Sequence, residues 1–159
     1  MKKLTSFSLG FLALSVSGLA HAAGDGSFEQ VERGRYLATV GDCAACHTAS
    51  TPDAKPFAGG VPIETPFGRL VGANITPDPE TGIGKWSFDD FQRAMSEGIG
   101  HGGKRLYGAM PFTAYTKVTR EDNAAIWAYL QTLQPVHHEV ETNQLPFPFN
   151  VRTSLMGWN

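Results

Sequence analysis

Residues 43–47 read Cys-Ala-Ala-Cys-His, and no other short stretch constrains the possible folds of this chain so strongly. On one helical turn Cys43, Cys46 and His47 stand at i, i+3 and i+4, so all three project from one face. Two thiols and an imidazole in that order form the attachment signature of a c-type haem. The thiols would form thioethers to the porphyrin vinyl groups while the His47 ring reaches the iron. A zinc site would need two further Cys or His ligands, and Cys43 and Cys46 are the only cysteines. A thiol–disulfide redox pair is expected beside a βαβ pattern, which the Gly- and Pro-rich sequence downstream does not offer.

The N-terminus gives the address. Met1-Lys2-Lys3 precedes a short apolar run, Leu4 to Leu19, and Ala20-His21-Ala22 supplies small residues around a cleavage point. This is the order of a secretory signal peptide, so residues 1–22 are set aside from the fold. A retained anchor is the competing reading, but the run is short for a span and broken by Ser6, Ser8, Gly10, Ser15, Ser17 and Gly18. Removing Lys2 and Lys3 from 13 basic against 15 acidic residues takes the net charge from −2 to about −4. Such a balance gives no reason to expect nucleic acid as a partner.

Residues 28–40 suit a first helix, with Val31, Tyr36, Leu37 and Val40 apolar and Gly34 placed for close approach by another helix. Residues 48–84 carry many breakers, and a loop of that length fits a compact domain only if it wraps a large apolar group. Ile63, Phe67, Leu70, Val71 and Ile75 are the side chains expected to make that contact. A helix starts at Ser87, which pairs with Asp90 in a capping box, and shows Phe88, Phe91, Met95 and Ile99 at helical spacing. A last helix starts at Thr119, buries Ile126, Tyr129, Leu130 and Leu133, and ends by Pro135. The domain is thus expected over 23–135, and 136–159 as an extended tail lying over the surface.

The second axial position decides what such a site can do, because an open position permits ligand chemistry and a strong sixth ligand restricts it to electron transfer. The candidates are Met95, Met110, Met156, His101, His137 and His138. Met95 belongs to an apolar helical stripe and reads as core. Met156, His137 and His138 come late and lie in polar surroundings. Met110 is favoured, because Gly108-Ala109 and Pro111-Phe112 give it a stiff, apolar turn. His101, in a Gly-rich loop, is second, with its ring expected in solvent, and an open site is third. The His47 Nδ1–H should donate to a loop carbonyl, with Pro62 or Pro66 as the expected acceptor.

The order of these features resembles class I cytochrome c, in which the first and last helices cross near a glycine and an aromatic residue. More specific stretches are Gly34-Arg35-Tyr36-Leu37-Ala38, Phe57-Ala58-Gly59-Gly60, Thr65-Pro66-Phe67-Gly68 and Asn74-Ile75-Thr76-Pro77-Asp78. Thr81 to Ser87, Ala109-Met110-Pro111-Phe112, Tyr115-Thr116-Lys117 and Leu145 to Asn150 continue the match. Together they resemble the cytochrome c subunits of membrane-bound alcohol, gluconate and sorbitol dehydrogenases.

That resemblance implies an all-α class I cytochrome c fold, three to five short helices around one covalent haem c with long irregular loops. It implies Cys43 and Cys46 as thioether anchors, His47 and Met110 as axial ligands, and Gly34 facing the turn of Tyr129. It also implies a periplasmic electron carrier without catalytic residues of its own. Such a carrier serves a flavin- or quinoprotein dehydrogenase and passes electrons to quinone or a terminal oxidase. The family's subunits usually hold three haem domains and a membrane-binding segment, whereas one motif stands here. The chain is therefore expected to be either a single-haem relative or, as the linker-like Leu155-Met156-Gly157-Trp158-Asn159 favours, the first domain of a longer protein. Gly108 stands where many relatives have proline. The reading from another class is a haem enzyme with an exchangeable distal ligand, a peroxidase or a sulfur-compound oxidoreductase. A structural haem domain is the third.

Overall fold

A computed structural model describes residues 26–157. The expected signal peptide, residues 1–22, lies outside the described residues. Five α-helices and a two-stranded hairpin follow in the order α1 (Phe28–Val40), α2 (Cys43–His47), β1 (Pro62–Thr65), β2 (Gly68–Val71), α3 (Phe88–Glu97), α4 (Phe112–Tyr115) and α5 (Arg120–Gln131). Short 3-10 turns occupy His101–Gly103 and Arg152–Gly157.

The framework is the crossing of α1 over α5. Gly34 is buried at that crossing, where any Cβ would overlap the Ala125 carbonyl oxygen and come within 2.9 Å of Tyr129 Cβ. The helices therefore touch backbone to backbone, and Ala124 and Ala125, both buried, keep the facing surface low. Arg33 reaches across to donate to Asp122 at 2.7 Å. Ser27 caps α1 through the Gln30 N–H, and Thr119 caps α5 through the Asp122 N–H. The expected helix starts and the placement of Gly34 against the Tyr129 turn are all present.

Helix α3 packs on α4 and α5 and carries the capping box in full: Ser87 accepts from the Asp90 N–H, and Asp90 accepts from the Ser87 N–H. Phe91, Ala94 and Met95 are its buried residues, so Met95 is core as the apolar stripe indicates. Ala38, Phe57, Ile83, Phe91, Met95, Ile126 and Leu130 form one buried cluster, to which Phe57 adds an edge-on contact with Tyr129.

The long stretch 48–84 departs from expectation in two respects. First, it contains the antiparallel hairpin, with Pro62 paired to Val71 and Thr65 to Gly68. Pro62, Pro66 and Gly68 read as breakers in the sequence, yet they stand at the start of β1, in the turn and at the start of β2, where they leave the pairing intact. Second, the loop is held by buried polar groups. Asn74 donates to the Thr81 hydroxyl and the Val136 carbonyl while its Oδ1 accepts from the Thr76 N–H and hydroxyl. Asp78 accepts from the Glu80 and Thr81 N–H groups and the Thr81 hydroxyl. The Thr81 N–H is the main reason its carboxyl lies below the usual range. The bonds of Asn74 and Thr76, both buried, satisfy polar groups that would otherwise be left unpaired in the interior.

The segment after α5 begins inside this network, since Val136 bonds to both Asn74 and Thr76. It then runs extended, with Gln144 pairing to Arg69 on β2, and ends in the 3-10 turn that buries Leu155. Among the described residues, no helix is long and apolar enough to cross a membrane.

Candidate functional site

Helix α2 is a single turn. Asp42 precedes it with a left-handed backbone, φ 52°, which turns the chain abruptly out of α1 and brings Cys43, Cys46 and His47 onto one short segment. Both cysteines are free and half-buried. Burial pushes the Cys43 thiol up from its ordinary value, as expected for a sulfur packed on the apolar cluster.

The backbone of this turn is clasped from below. The Gly59 N–H donates to the His47 carbonyl at 2.7 Å, and Thr48 pairs with Gly59 as a parallel bridge. Gly72 lies so close that any Cβ would overlap the Cys46 carbonyl oxygen. Because Gly72 abuts Cys46, the next residue reaches His47: the Ala73 carbonyl accepts from its Nδ1–H at 2.7 Å. This corrects the expectation of Pro62 or Pro66, both of which lie out in the hairpin, away from the return of the chain to α2. The bond defines the tautomer and leaves Nε2 as the free lone pair. Burial also pushes the His47 pKa down, more than its bond to Ala73 raises it, so the ring is neutral at physiological pH.

Met110 follows a tight turn closed by its own N–H to the Tyr107 carbonyl at 3.0 Å, and Phe112 bonds back to the Met110 carbonyl at 2.8 Å as α4 starts. Phe112 is buried against the Gly98 end of α3, which anchors the loop. The Met110 side chain is half-buried against the same apolar cluster that receives Cys43, together with Leu37, Ile75, Trp86 and Tyr115. Tyr115 joins the two sides directly, its hydroxyl donating to the Gly41 carbonyl at 3.0 Å. Burial is the main reason the Tyr115 pKa is raised, and the two cysteine sulfurs add to it.

The other candidate ligands have different surroundings. The His101 ring stacks on Trp86, with centroids 6.3 Å apart, and its Nδ1 bonds to Asp90 at 2.9 Å. It is exposed but not left to solvent alone, which sequence could not show because Asp90 is eleven residues away. His137 lies beside Asp78 and Glu80, His138 bonds to the Ala58 carbonyl, and Met156 is exposed. Of the loop side chains expected to face the haem, Leu70 is buried, Ile75 joins the apolar cluster, and Ile63 and Val71 are half-buried. Phe67 is instead exposed and packs on Phe149 of the tail, with ring centroids 4.8 Å apart.

The profile of the cytochrome c family matches residues 31–134, which include α2, the wrapped loop and the Met110 turn. The chain belongs to the cytochrome c family. It is 47% identical to a nicotinate dehydrogenase subunit of Pseudomonas putida, over 96% of this chain and 13% of that protein. It is 42% identical to the gluconate 2-dehydrogenase cytochrome c subunit of Pantoea cypripedii, over 99% of this chain and 35% of the relative. The cytochrome c subunit of the quinone alcohol dehydrogenase of Gluconacetobacter polyoxogenes is 36% identical over 98% of this chain and 33% of its own length. The chain thus spans about a third or less of these relatives.

Membership of this family implies covalent haem c, and the donors present fit that group. Two free thiols share a turn with a neutral imidazole whose Nε2 is open, and a half-buried thioether borders the same apolar cluster. The capping residue Asp90 also makes the surrounding shell pH-sensitive. Its pKa is lowered from 3.8 to about 2, chiefly by the His101 ring and then by the Ser87 N–H. A depressed folded pKa contributes stability that is present above the unfolded value and lost as pH falls towards the folded one. Acid unfolding followed by circular dichroism should steepen between pH 3.8 and about 2. Asp90→Asn should flatten that part of the curve, and an unchanged curve would show that the cap is not the sensitive group.

Proposed function

We propose that this cytochrome c is a single-electron carrier with one haem, anchored by Cys43 and Cys46 and ligated by His47 and Met110. Haem c supplies a one-electron couple at its iron. The protein's part is to hold the group still. His47 is oriented by the Ala73 carbonyl, and Met110 is carried on a turn braced by Phe112. The placement that carries this reading is Met110 half-buried on the cluster that also receives Cys43, whereas His101 is engaged by Asp90 and Trp86. Two axial ligands leave no position for substrate, which favours electron transfer over the peroxidase or sulfur-compound chemistry of an open site.

The names of the relatives, cytochrome c subunits of gluconate and alcohol dehydrogenases, support a flavin- or quinoprotein dehydrogenase as electron donor. Quinone or a terminal oxidase then takes the electron onward. Covalent attachment outside the cytoplasm and the signal-like N-terminus support a periplasmic location. In this reading residues 1–22 are removed, 23–135 form the haem domain and 136–159 the tail.

Mass spectrometry of exported protein tests the assignment at once. The expected result is a polypeptide beginning at Ala23 with one haem added and neither cysteine open to alkylation. A colourless product with two reactive thiols would end the reading. Peroxide turnover by the intact holoprotein would shift it to the enzyme class.

A further inference from the structure

The tail grips the loop that carries Met110. Arg152 donates from Nη1 to the Arg105 carbonyl, and its guanidinium carbon stands 4.5 Å from the centre of the Tyr107 ring. Tyr107 answers by donating its hydroxyl to the Phe149 carbonyl at 3.0 Å. The carbonyl of the same Tyr107 closes the turn to the Met110 N–H. On its other side this strand of loop is tied to the end of α3, through the Leu106 N–H to the Gly98 carbonyl at 2.7 Å and the bridge between Ile99 and Arg105. Residues 105–107 are therefore held between α3 and the tail.

We propose that Arg152 is a positioning residue for the distal ligand: with Phe149 it clasps Arg105 and Tyr107 and keeps the Met110 loop closed. The proposal rests on Met110 being that ligand. A loop bonded on both faces opens less often than one bonded on one face, and the open fraction sets how readily an outside ligand reaches the sixth position. The tail is secured independently where Arg69 and Gln144 exchange backbone bonds and Asn143 accepts from the Val71 N–H. Loss of Arg152 alone therefore leaves the tail attached and frees only the loop.

The test is the affinity of imidazole for the ferric holoprotein, read together with the long-wavelength absorption band of thioether-ligated iron. Loss of one charge-assisted hydrogen bond and one cation–π contact in Arg152→Ala should raise that affinity about tenfold and weaken the band at alkaline pH. Arg152→Lys keeps the charge without the planar fork and should fall between. Tyr107→Phe, which removes only the bond to Phe149, should move in the same direction by less and serves if Arg152→Ala folds poorly. Wild-type affinity in Arg152→Ala, or an equal rise in Asn143→Ala, would overturn the clasp. Met110→Ala separates the underlying assignment. If it binds imidazole no more tightly than wild type, Met110 is not on the iron and the proposal falls with it. If it binds tightly while Arg152→Ala does not, only the clasp is wrong.

Discussion

Holoprotein carrying Met110→Ala should show a midpoint potential lower by on the order of 100 mV, and its reduced form should bind carbon monoxide. A thioether stabilises the ferrous state relative to harder ligands, so its removal favours ferric iron and opens the sixth position. The fold should survive the change. Met110 is only half-buried at the margin of the apolar cluster, whereas Met95 is 6% exposed within it. Met95→Ala is the informative contrast. It should cost about 2–5 kcal/mol of stability by leaving a cavity and alter the potential far less. Potentiometric titration of the two variants separates ligand from core, and an unchanged potential in Met110→Ala would remove that residue from the iron.

The second large effect is expected at Gly34. An added methyl group there meets the Ala125 carbonyl and Tyr129 Cβ, and neither atom can step aside as a flexible side chain would. Only separation of α1 from α5 relieves the overlap, and that loosens Ala38, Ile126 and Leu130 together. Gly34→Ala should therefore cost about 3 kcal/mol or more, at the severe end of overpacking. The thermal midpoint should drop by roughly 10 °C or more in a domain of this size. Gly34→Val should leave little folded protein to load with haem. A midpoint within a few degrees of wild type in Gly34→Ala would mean that the helices do not cross at this contact.

The two sites fail differently, and the contrast reflects how the molecule is built. The α1–α5 crossing is a backbone contact with no slack, while Met110, the proposed distal ligand, rides on a loop that bonds to Phe112 on one side and to the tail on the other. Damage at the crossing is read in stability. Damage at the loop is read in potential and ligand access.

Local chemistry made much of this legible from sequence. The turn from Cys43 to His47, the first helix over 28–40, the Ser87–Asp90 cap and the Thr119 start depend on residues no more than a few positions apart, where spacing alone decides the geometry. The burial of Met95 follows from helical periodicity in the same way, while the close approach at Gly34 is signalled by a glycine inside a helix and its Tyr129 partner by the family resemblance. Tertiary structure alone decided which carbonyl holds His47, because Ala73 reaches it only after the hairpin folds back and Gly72 seats on Cys46. It also decided that His101 is tied to Asp90, that Asn74 and Val136 share a buried network, and that Phe67 faces Phe149. Those contacts join groups 11 to 82 residues apart, and a hydrogen bond between distant residues leaves no period in the sequence to read.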